Sequence, residues 1–296
     1  MYGVRVGLWS VITFVACGCA AKNAPADGAA VLWFGGDVHF GQHGHKLFDR
    51  LTLDGPLVVN LEGPISQEAA PSMAERLTNP SNTGQLLRAE NVMAAGVDNN
   101  HSRDEGEPGV ARTQTELTKA GILSLGEVTL NIRGTHVTLL QIDLSSGIGD
   151  AMTARLKAAV AKEGPLVVLF HVASPALYLP EPTKRAAVEA AVAQGANAVL
   201  VHGSHSIGRV ERRGSTVIAW GLGNVVFDCD CTKEDEGLLV RLQFSRDGIE
   251  RATVLPIHAG LHGEAAIASR DAEADLSLLE SLGSIFLKKT SRAADW

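Results

Sequence analysis

Residues 165–205 read PLVVLFHVASPALYLPEPTKRAAVEAAVAQGANAVLVHGSH, and this stretch decides the fold class. The apolar run at 165–170 is typical of a strand that is buried on both faces. The segment 182–194 is rich in alanine, has proline in its first turn and ends at Gly195, which predicts a helix. Ala198 to Val201 predicts a second buried strand. A strand, a helix and a strand in this order indicate a layered α/β fold.

The same alternation extends on both sides of this stretch. Strands are predicted at 30–34, 57–59, 217–220 and 225–227, hairpins at 128–142 and 238–257, and helices at 85–95, 110–120, 151–162 and 272–286. Gly35-Gly36 predicts a tight turn after the first strand. Alternating elements followed by hairpins predict one α/β domain with mixed sheets over residues 30–290.

The composition argues against a disordered chain and against nucleic-acid binding. The chain has 296 residues, of which 45% are hydrophobic and 20% are charged, as in ordinary globular proteins. It holds 26 basic and 33 acidic residues, so its formal net charge is -7. Because this charge is negative and no stripe of basic residues is present, the sequence predicts no nucleic-acid binding.

The first residues predict an export signal. Arg5 supplies a positive charge, and the apolar run from Val6 to Ala16 has the length of a signal peptide. Cys17-Gly18-Cys19-Ala20-Ala21 follows directly. A cysteine after small residues at this place resembles a bacterial lipobox, in which the cysteine is lipidated after cleavage.

We therefore predict a lipoprotein signal peptide over residues 1–19 and a tether over 20–29. Cys19, which follows glycine, is the predicted lipidation site, and Cys17 is the alternative. An ordinary secretory signal cut near Ala20-Ala21 and a short membrane anchor are the other interpretations. The expected location is the bacterial cell envelope, with the lipid as the only contact with the membrane.

The remaining cysteines, Cys229 and Cys231, lie in an acidic segment. An exported chain permits a disulfide, but a spacer of one residue disfavours a bridge within the segment. No further cysteine or histidine lies nearby in the sequence to complete a zinc site. We therefore predict a solvated acidic loop with two free thiols.

Five apolar runs end in clusters of side chains that are common metal ligands. They are Gly36-Asp37-Val38-His39, Asn60-Leu61-Glu62, Asn99-Asn100-His101, Phe170-His171 and His202-Gly203-Ser204-His205. A side chain at the end of a buried strand is held on a stiff element and reaches into a crevice. Carboxylates, an amide and imidazoles without a thiolate suit two divalent cations such as Mn, Fe or Zn, which activate water for attack on a phosphorus or acyl centre.

Spacing suggests roles for some of these residues. Asp37 and His39 are two apart, and extended backbone points such residues the same way, so both can face one ion. Glu62 could bridge two cations. Asp104 could accept a hydrogen bond from the ring of His101 and set its tautomer. Taken alone, each residue also fits a plain structural role, such as a capping aspartate or a buried core histidine.

The ordered series of motifs resembles the CapA family, the capsule and poly-γ-glutamate synthesis proteins, which is a branch of the calcineurin-like metallophosphoesterase superfamily. The segments that carry the resemblance are Gly36-Asp37, Asn60 to Pro64, Asn99 to His101 with Asp104 and Gly106, Gly109 to Gly121, His171, Gly195 to Glu211, and Leu222-Gly223-Asn224 with Phe227-Asp228. The order and spacing hold from about residue 31 to 260.

The resemblance implies a four-layer α/β/β/α sandwich of two mixed sheets and a dinuclear metal site. The implied metal ligands are Asp37, Glu62, Asn100, His171, His202 and His205, with His39 at the position of the broader superfamily's Gly-Asp-x-His. His101, supported by Asp104, is implied as the proton donor to the leaving group. Asn60 and Asn224 are expected to line the substrate site.

The chain also departs from the family pattern. Val-Ala follows His171 where the family usually has Trp-Gly, and Val201 stands where a glycine normally precedes the histidine pair. The pair His202 and His205 has two residues between its members rather than one. The implied function is capsule or envelope polymer metabolism with a hydrolase-type site. A non-catalytic component of a polymer synthesis or export complex and a general extracytoplasmic phosphoesterase are the alternatives.

Overall fold

A computed structural model describes residues 28–41, 46–68, 73, 75–145, 147–174, 178–231 and 234–296. Within these residues the chain forms two mixed β-sheets and five α-helices. In the same residues, no helix combines the length and the apolar character needed to cross a membrane. The predicted signal peptide, with Cys17 and Cys19, lies outside the described residues.

The strands and helices are numbered separately in chain order. The strands are β1 Ala30–His39, β2 Leu57–Leu61, β3 Val92–Gly96, β4 Leu123–Leu125, β5 Glu127–Ile132, β6 Thr135–Asp143, β7 Leu166–His171, β8 Ala198–His202, β9 Val210–Arg213, β10 Thr216–Ala219, β11 Asn224–Phe227, β12 Glu236–Phe244, β13 Ile249–His258, β14 Gly260–Leu261, β15 Ile267–Ala268, β16 Lys288–Lys289 and β17 Ala294–Asp295. The helices are α1 Thr83–Ala89, α2 Gly106–Lys119, α3 Asp150–Val160, α4 Pro182–Ala193 and α5 Ala272–Ser281.

The first sheet is built around β1. Its strand order is β16-β17-β13-β12-β1-β2-β3-β4, and β11 also pairs with β1. β1 is parallel to β2 and β11 and antiparallel to β12. The second sheet has the order β5-β6-β7-β8-β10-β9, in which the four inner strands are parallel and the two edge strands antiparallel.

Apolar cores separate four layers among the described residues. Leu32 of β1 and Leu139 of β6 belong to the core between the two sheets. Val31 of β1 belongs to a second core, which includes Leu87 of α1 and covers the other face of the first sheet. Leu156 of α3 lies in a third core, on the outer face of the second sheet. Successive side chains of a strand point to opposite faces, so both faces of β1 are buried. This confirms the predicted α/β/β/α sandwich.

The first strand does not end at Gly35-Gly36, and the prediction of a turn there was wrong. β1 continues to His39, and its ten residues are all buried. A Cβ atom on Gly36 would lie 1.9 Å from the backbone oxygen of Gly223, so only glycine permits this close approach. The Asp37 backbone N donates to the same oxygen at 3.1 Å. Asp37 and His39 therefore lie within the carboxyl-terminal part of the strand.

Two predicted helices are shorter in the structure. The predicted helix 85–95 is replaced by α1, which ends at Ala89, and by β3, which pairs with β2. Asn91 has a φ of 59° and turns the chain between them, a conformation that asparagine tolerates. The predicted helix 272–286 ends at Ser281, shortly before Gly283 with a φ of 101°. In both cases the apolar spacing continued past the residue that ends the helix.

Cys229 and Cys231 are joined by a disulfide, so the prediction of two free thiols was wrong. Their Cα atoms lie 5.1 Å apart, within the range that a disulfide spans. Cys229 is buried and packs with Leu77 and Phe227 rather than facing solvent. The segment after β11 is therefore anchored to the fold.

Candidate metal centre

The carboxyl ends of strands from both sheets meet at one place. In the first sheet Asp37 of β1 is in register with Asn60 of β2 and with Asn224 of β11. In the second sheet His171, the last residue of β7, is in register with His202, the last residue of β8. Ligand sites in α/β folds lie at such strand ends, because loops leave there and side chains converge.

Five of the predicted ligands form two groups that could each hold a metal ion. Asp37, His171 and His202 form the first, which we call the imidazole group. Asp37, Glu62 and His205 form the second, which we call the carboxylate group. In each group the ligand atoms lie within 4.8 Å of one another. Asp37, and not Glu62, is the residue that both groups share.

Two buried atoms support the assignment of a cation to this place. Glu62 Oε2 and His202 Nε2 have no hydrogen-bond partner within the described part of the chain. Buried polar atoms in proteins nearly always have a partner, so such atoms call for an explanation. Carboxylate oxygen and imidazole nitrogen are both ligands of divalent transition metals. The residues present therefore fit a divalent cation in each group.

Asp37 is held from four directions. Asn60 Nδ2 donates to its Oδ1 at 2.9 Å, and the backbone N of Gly203 donates to its Oδ2 at 2.9 Å. His202 Nδ1 lies 3.3 Å from Oδ1, and His205 Nδ1 lies 3.4 Å from Oδ2. Burial acts to raise the pKa of Asp37, but hydrogen bonds with His202 and His205 outweigh it and hold the pKa well below its usual value. The shared ligand is therefore a carboxylate at neutral pH.

The imidazole group is completely enclosed. His171 and His202 are at most 1% exposed, and their Nδ1 atoms lie 3.0 Å apart. Burial lowers the pKa of His171 to about 3, so its ring is neutral. His171 Nε2 lies 2.6 Å from the side-chain oxygen of Asn100, which can only accept, so Nε2 carries the proton. Nδ1 then keeps the lone pair that a metal requires.

The carboxylate group is more open, and the pKa values of its side chains are strongly shifted. Burial, and after it the charge of Asp37, raises the pKa of Glu62 to about 8. Burial would lower the pKa of His205, but Asp37 and Glu62 raise it to about 9. Its Nδ1 also lies 3.0 Å from Asn224 Oδ1, and its side chain is 23% exposed. Strong pKa shifts in opposite directions within one cluster are typical of functional sites.

His39 belongs to neither group. Its Nδ1 lies 3.1 Å from the backbone oxygen of Glu62, its ring packs against Phe227 at 5.3 Å, and burial lowers its pKa to about 4. The register between β1 and β11 shifts between Asp37 and Val38. Such an irregularity breaks the alternation from which a shared orientation of Asp37 and His39 was predicted.

His101 and Asp104 form a dyad beside the two groups. His101 Nδ1 lies 2.7 Å from Asp104 Oδ2, which also accepts a 2.7 Å hydrogen bond from the Leu77 backbone N. Burial is the main cause of the low pKa values of His39 and His171, and the charge of His101 contributes a smaller part. An anchored carboxylate that fixes an imidazole is the arrangement of a general acid.

Asn60 and Asn224 were expected to line the substrate site, but both side chains are fully buried. Asn60 lies behind Asp37, to which it donates, and Asn224 contacts His205 and donates to the Glu234 backbone oxygen at 2.9 Å. Both residues hold ligands from behind. The strands pack so tightly at this point that neither amide reaches the surface.

Two buried side chains near the site were missed from the sequence. Gln141 of β6 donates to Asn60 Oδ1 at 3.0 Å, and a polar residue inside an apolar strand was the signal that could have revealed it. Lys184 of α4 is 2% exposed, and its Nζ donates to Ser204 Oγ at 3.1 Å. A lysine in a helix normally faces solvent, so the sequence held no signal for its burial.

Two mixed sheets between helical layers form a metallophosphoesterase-like fold, and the two candidate ligand groups lie at its strand ends. A phosphatase from Mycoplasma pneumoniae shares this fold with a TM-score of 0.53 and 11% identity, covering 78% of this chain and 94% of that one. A hypothetical protein from Thermus thermophilus also gives a TM-score of 0.53, with 16% identity over 77% of this chain and 99% of the other. At 11% and 16% identity, these similarities show a shared fold and nothing more.

Comparison of the sequence with known families identifies the family of the chain. The bacterial capsule synthesis protein family PGA_cap matches residues 43–143 and 135–229, which together exceed half of the chain. The chain belongs to this family. Glu62, His171, His202 and His205 lie inside the matched residues, whereas Asp37 precedes them. No curated protein matches the chain.

Proposed function

We propose that this protein is a metal-dependent hydrolase of the bacterial cell envelope that cleaves a phosphoester bond during capsule or poly-γ-glutamate-type polymer metabolism. The observation that carries the proposal is the pair of ligand groups that share Asp37. Membership of the capsule synthesis family supports the polymer context. The fold shared with a phosphatase supports phosphoester chemistry.

In this proposal some residues bind the cations and others transfer a proton. Asp37, Glu62 and the histidines of the two groups would hold two divalent cations, of which Mn, Fe and Zn suit this ligand set. Bound there, such cations supply Lewis-acid activation of water and neutralise charge that develops on the substrate. His101, fixed by Asp104, donates a proton to the leaving oxygen, which general acids accelerate by about 10²–10⁴-fold.

Metal analysis and hydrolysis of simple esters test this proposal. We expect the purified protein to bind Mn²⁺ or Zn²⁺ and to hydrolyse bis-(p-nitrophenyl) phosphate or p-nitrophenyl phosphate. His101→Asn should lose about 10²-fold or more in kcat while keeping its metal content. His136→Ala is the matched control, because this histidine lies at the opposite end of the second sheet with a 41% exposed side chain. Absence of bound metal in the wild type would contradict the proposal.

A non-catalytic role in a polymer synthesis or export complex is the second candidate. The family description, which names synthesis and not hydrolysis, favours it. This role predicts that the protein binds metal but does not cleave either ester. It also predicts co-purification with envelope polymer or with membrane-bound synthesis proteins when the complex is extracted in mild detergent.

Export and lipid anchoring complete the proposal. The apolar run before Cys17 and Cys19 supports a lipoprotein signal. We expect Cys19→Ser to abolish processing that is sensitive to globomycin and to release the protein from the membrane fraction. Cys17→Ser, two residues away, is the matched control and should leave both unchanged. The reverse pattern would move the lipid to Cys17.

A further inference from the structure

We infer that Gln141 is a positioning residue for the metal centre, acting from the second sheet through Asn60 on Asp37 and His171. The inference rests on the proposed function, because the residues that it positions are the proposed metal ligands. Gln141 lies on β6, is completely buried and belongs to neither ligand group. Its effect is therefore separable from ligation.

The hydrogen bonds of Gln141 leave its amide one orientation. Its Nε2 donates to Asn60 Oδ1 at 3.0 Å and to the Asp98 backbone oxygen at 3.1 Å, so both N–H groups have acceptors. Its Oε1 accepts from the Asp98 backbone N at 3.4 Å. A flipped amide would set oxygen against two oxygens, which buried groups avoid.

The orientation of the Gln141 amide determines the orientation of the Asn60 amide. Asn60 Oδ1 accepts from Gln141 Nε2 and from Asn99 Nδ2 at 3.2 Å, so its Nδ2 must face the other way. There Nδ2 donates to Asp37 Oδ1 at 2.9 Å and lies 3.4 Å from His171 Nδ1. A donor at this place faces Nδ1 and disfavours a proton there, so it favours the Nε2–H tautomer, whose Nδ1 lone pair a cation would take in place of this long contact. One amide thus orients a ligand from each sheet.

Gln141 also fixes the loop that follows β3. Its side chain forms hydrogen bonds with both the backbone N and the backbone oxygen of Asp98. Asp98 lies two residues before Asn100, whose side-chain oxygen contacts His171 Nε2 at 2.6 Å. Arg155 of α3 also links these two residues, because it donates to the Gln141 backbone oxygen at 2.7 Å and to Asp98 Oδ2 at 3.4 Å. Both nitrogens of His171 are therefore oriented by groups that depend on Gln141.

The opposite sheet leaves room for this side chain. A Cβ atom on Gly96 of β3 would lie 2.5 Å from Gln141 Oε1 and 2.6 Å from its Nε2. Gly96 ends a parallel strand inside the first sheet, so its backbone cannot move away without breaking the pairing with β2. Gly96→Ala therefore displaces the amide of Gln141 without changing any residue that contacts a ligand.

Three variants of the full-length protein in detergent test the inference. Gln141→Met keeps the length of the side chain and removes its hydrogen bonds, and Gly96→Ala displaces them. Gln243→Met is the matched control, because this glutamine of β12 is only partly buried and bonds to Glu250 at 3.1 Å. Isothermal titration with Mn²⁺ gives the Kd, and ¹⁵N NMR of the histidines in metal-free protein reports the tautomer of His171.

We expect Gln141→Met and Gly96→Ala to weaken Mn²⁺ binding by about 10–100-fold, as for other residues that orient ligands, and to give mixed tautomers of His171. Gln243→Met should match the wild type in both readouts. A purely structural role would lower the melting temperature equally with and without Mn²⁺ and leave the Kd unchanged, which would overturn the inference. If Gln141→Met does not fold, the Gly96→Ala variant decides.

The two proposals fail in different ways. Wild-type protein that binds neither Mn²⁺ nor Zn²⁺ would contradict the proposed function. The tautomer of His171 in metal-free Gln141→Met and Gly96→Ala would still decide whether Gln141 orients this ring. A single Nε2–H tautomer in all variants would overturn the inference even if the wild type were an active hydrolase.

Discussion

The imidazole group and the carboxylate group share Asp37, yet they are built in different ways. In the imidazole group, His171 and His202 are the last residues of adjacent parallel strands and are buried at 0% and 1% exposure. In the carboxylate group, Glu62 follows β2 directly, whereas His205 lies on a loop with a φ of 55° and a 23% exposed side chain. The first is fixed by a sheet and the second by a loop.

From this difference we expect the two groups to differ in how tightly they bind a cation and how fast they exchange it. Imidazoles on strands offer few alternative positions, so we expect the imidazole group to hold its cation more tightly. The carboxylate group faces the solvent through His205, so we expect its cation to exchange faster and to meet the substrate. The following variants test this comparison.

Asp37→Asn should have the largest effect, because it removes a charged ligand from both groups at once. We expect loss of both cations and a fall in hydrolysis of about 10³-fold or more, since each cation contributes several kcal/mol. Metal analysis and ester hydrolysis measure the effect, and the melting temperature of the metal-free protein checks the fold. Asp247→Asn, in the turn between β12 and β13, is the control. A variant that kept one tightly bound ion would show that the groups are independent.

Glu62→Gln and His202→Gln should separate the two groups. Each removes one ligand from one group, so we expect each variant to keep about one ion in place of two. The ion that remains in Glu62→Gln should resist a chelator, because the imidazole group is intact, whereas the ion in His202→Gln should be removed readily. The opposite order of chelator resistance would reverse the comparison.

The sequence predicted which side chains come together better than how they are arranged. Asp37, Glu62, His171, His202 and His205 follow apolar runs, and strand ends converge in any layered α/β fold, so their proximity was foreseeable. Which residue is shared was not, because this depends on how the two sheets approach each other. Contacts between distant strands carry no local signal in the sequence.

Three errors have local physical causes. The strand β3 was hidden because Val92 to Gly96 continues the helical spacing of α1, and only pairing with β2 decides its structure. β1 was cut short because Gly36 signals a turn, whereas here it permits close contact with Gly223. Gln141 was missed because its partners, Asn60 and Asp98, lie 81 and 43 residues away.

Gly203→Ala should perturb the imidazole group most, because residue 203 contacts His171 as well as Asp37. Gly203 has a φ of 95°, and a Cβ atom there would lie 2.9 Å from His171 Nε2. We expect a loss of about 2–4 kcal/mol in the free energy of unfolding, because backbone strain and a steric clash combine. Gly214→Ala is the matched control, since Gly214 has a φ of 61° but no described atom within 4 Å of such a Cβ, and should cost about 1 kcal/mol.

The measurement that completes this test is the metal content. We expect Gly203→Ala to lose the chelator-resistant ion of the imidazole group and Gly214→Ala to keep it. If both variants lost equal stability and neither lost metal, the close contact between residue 203 and His171 would have no role in the site.

The smallest expected effect concerns the opposite end of β1, where Asp54 is an ordinary structural carboxylate. Its Oδ2 accepts from Arg241 Nη2 at 2.8 Å and its Oδ1 from Trp33 Nε1 at 2.7 Å. Burial acts to raise the pKa of Asp54, but these partners outweigh it and lower the pKa. Because the side chain is 37% exposed, solvent screens the pair, and we expect Asp54→Asn to cost only about 0.5–1 kcal/mol at pH 7.

The pH dependence of this cost separates the pair from the metal site. A carboxylate with a lowered pKa stabilises the fold above its unfolded pKa, and this stabilisation is lost as the pH falls through the lower folded pKa. The difference in unfolding free energy between wild type and Asp54→Asn should therefore be constant from pH 7 down to about pH 5 and disappear in stronger acid. Urea unfolding across this range measures it, with metal content unchanged throughout. A difference that persisted in acid would mean that Asp54 acts through the Trp33 contact and not through its charge.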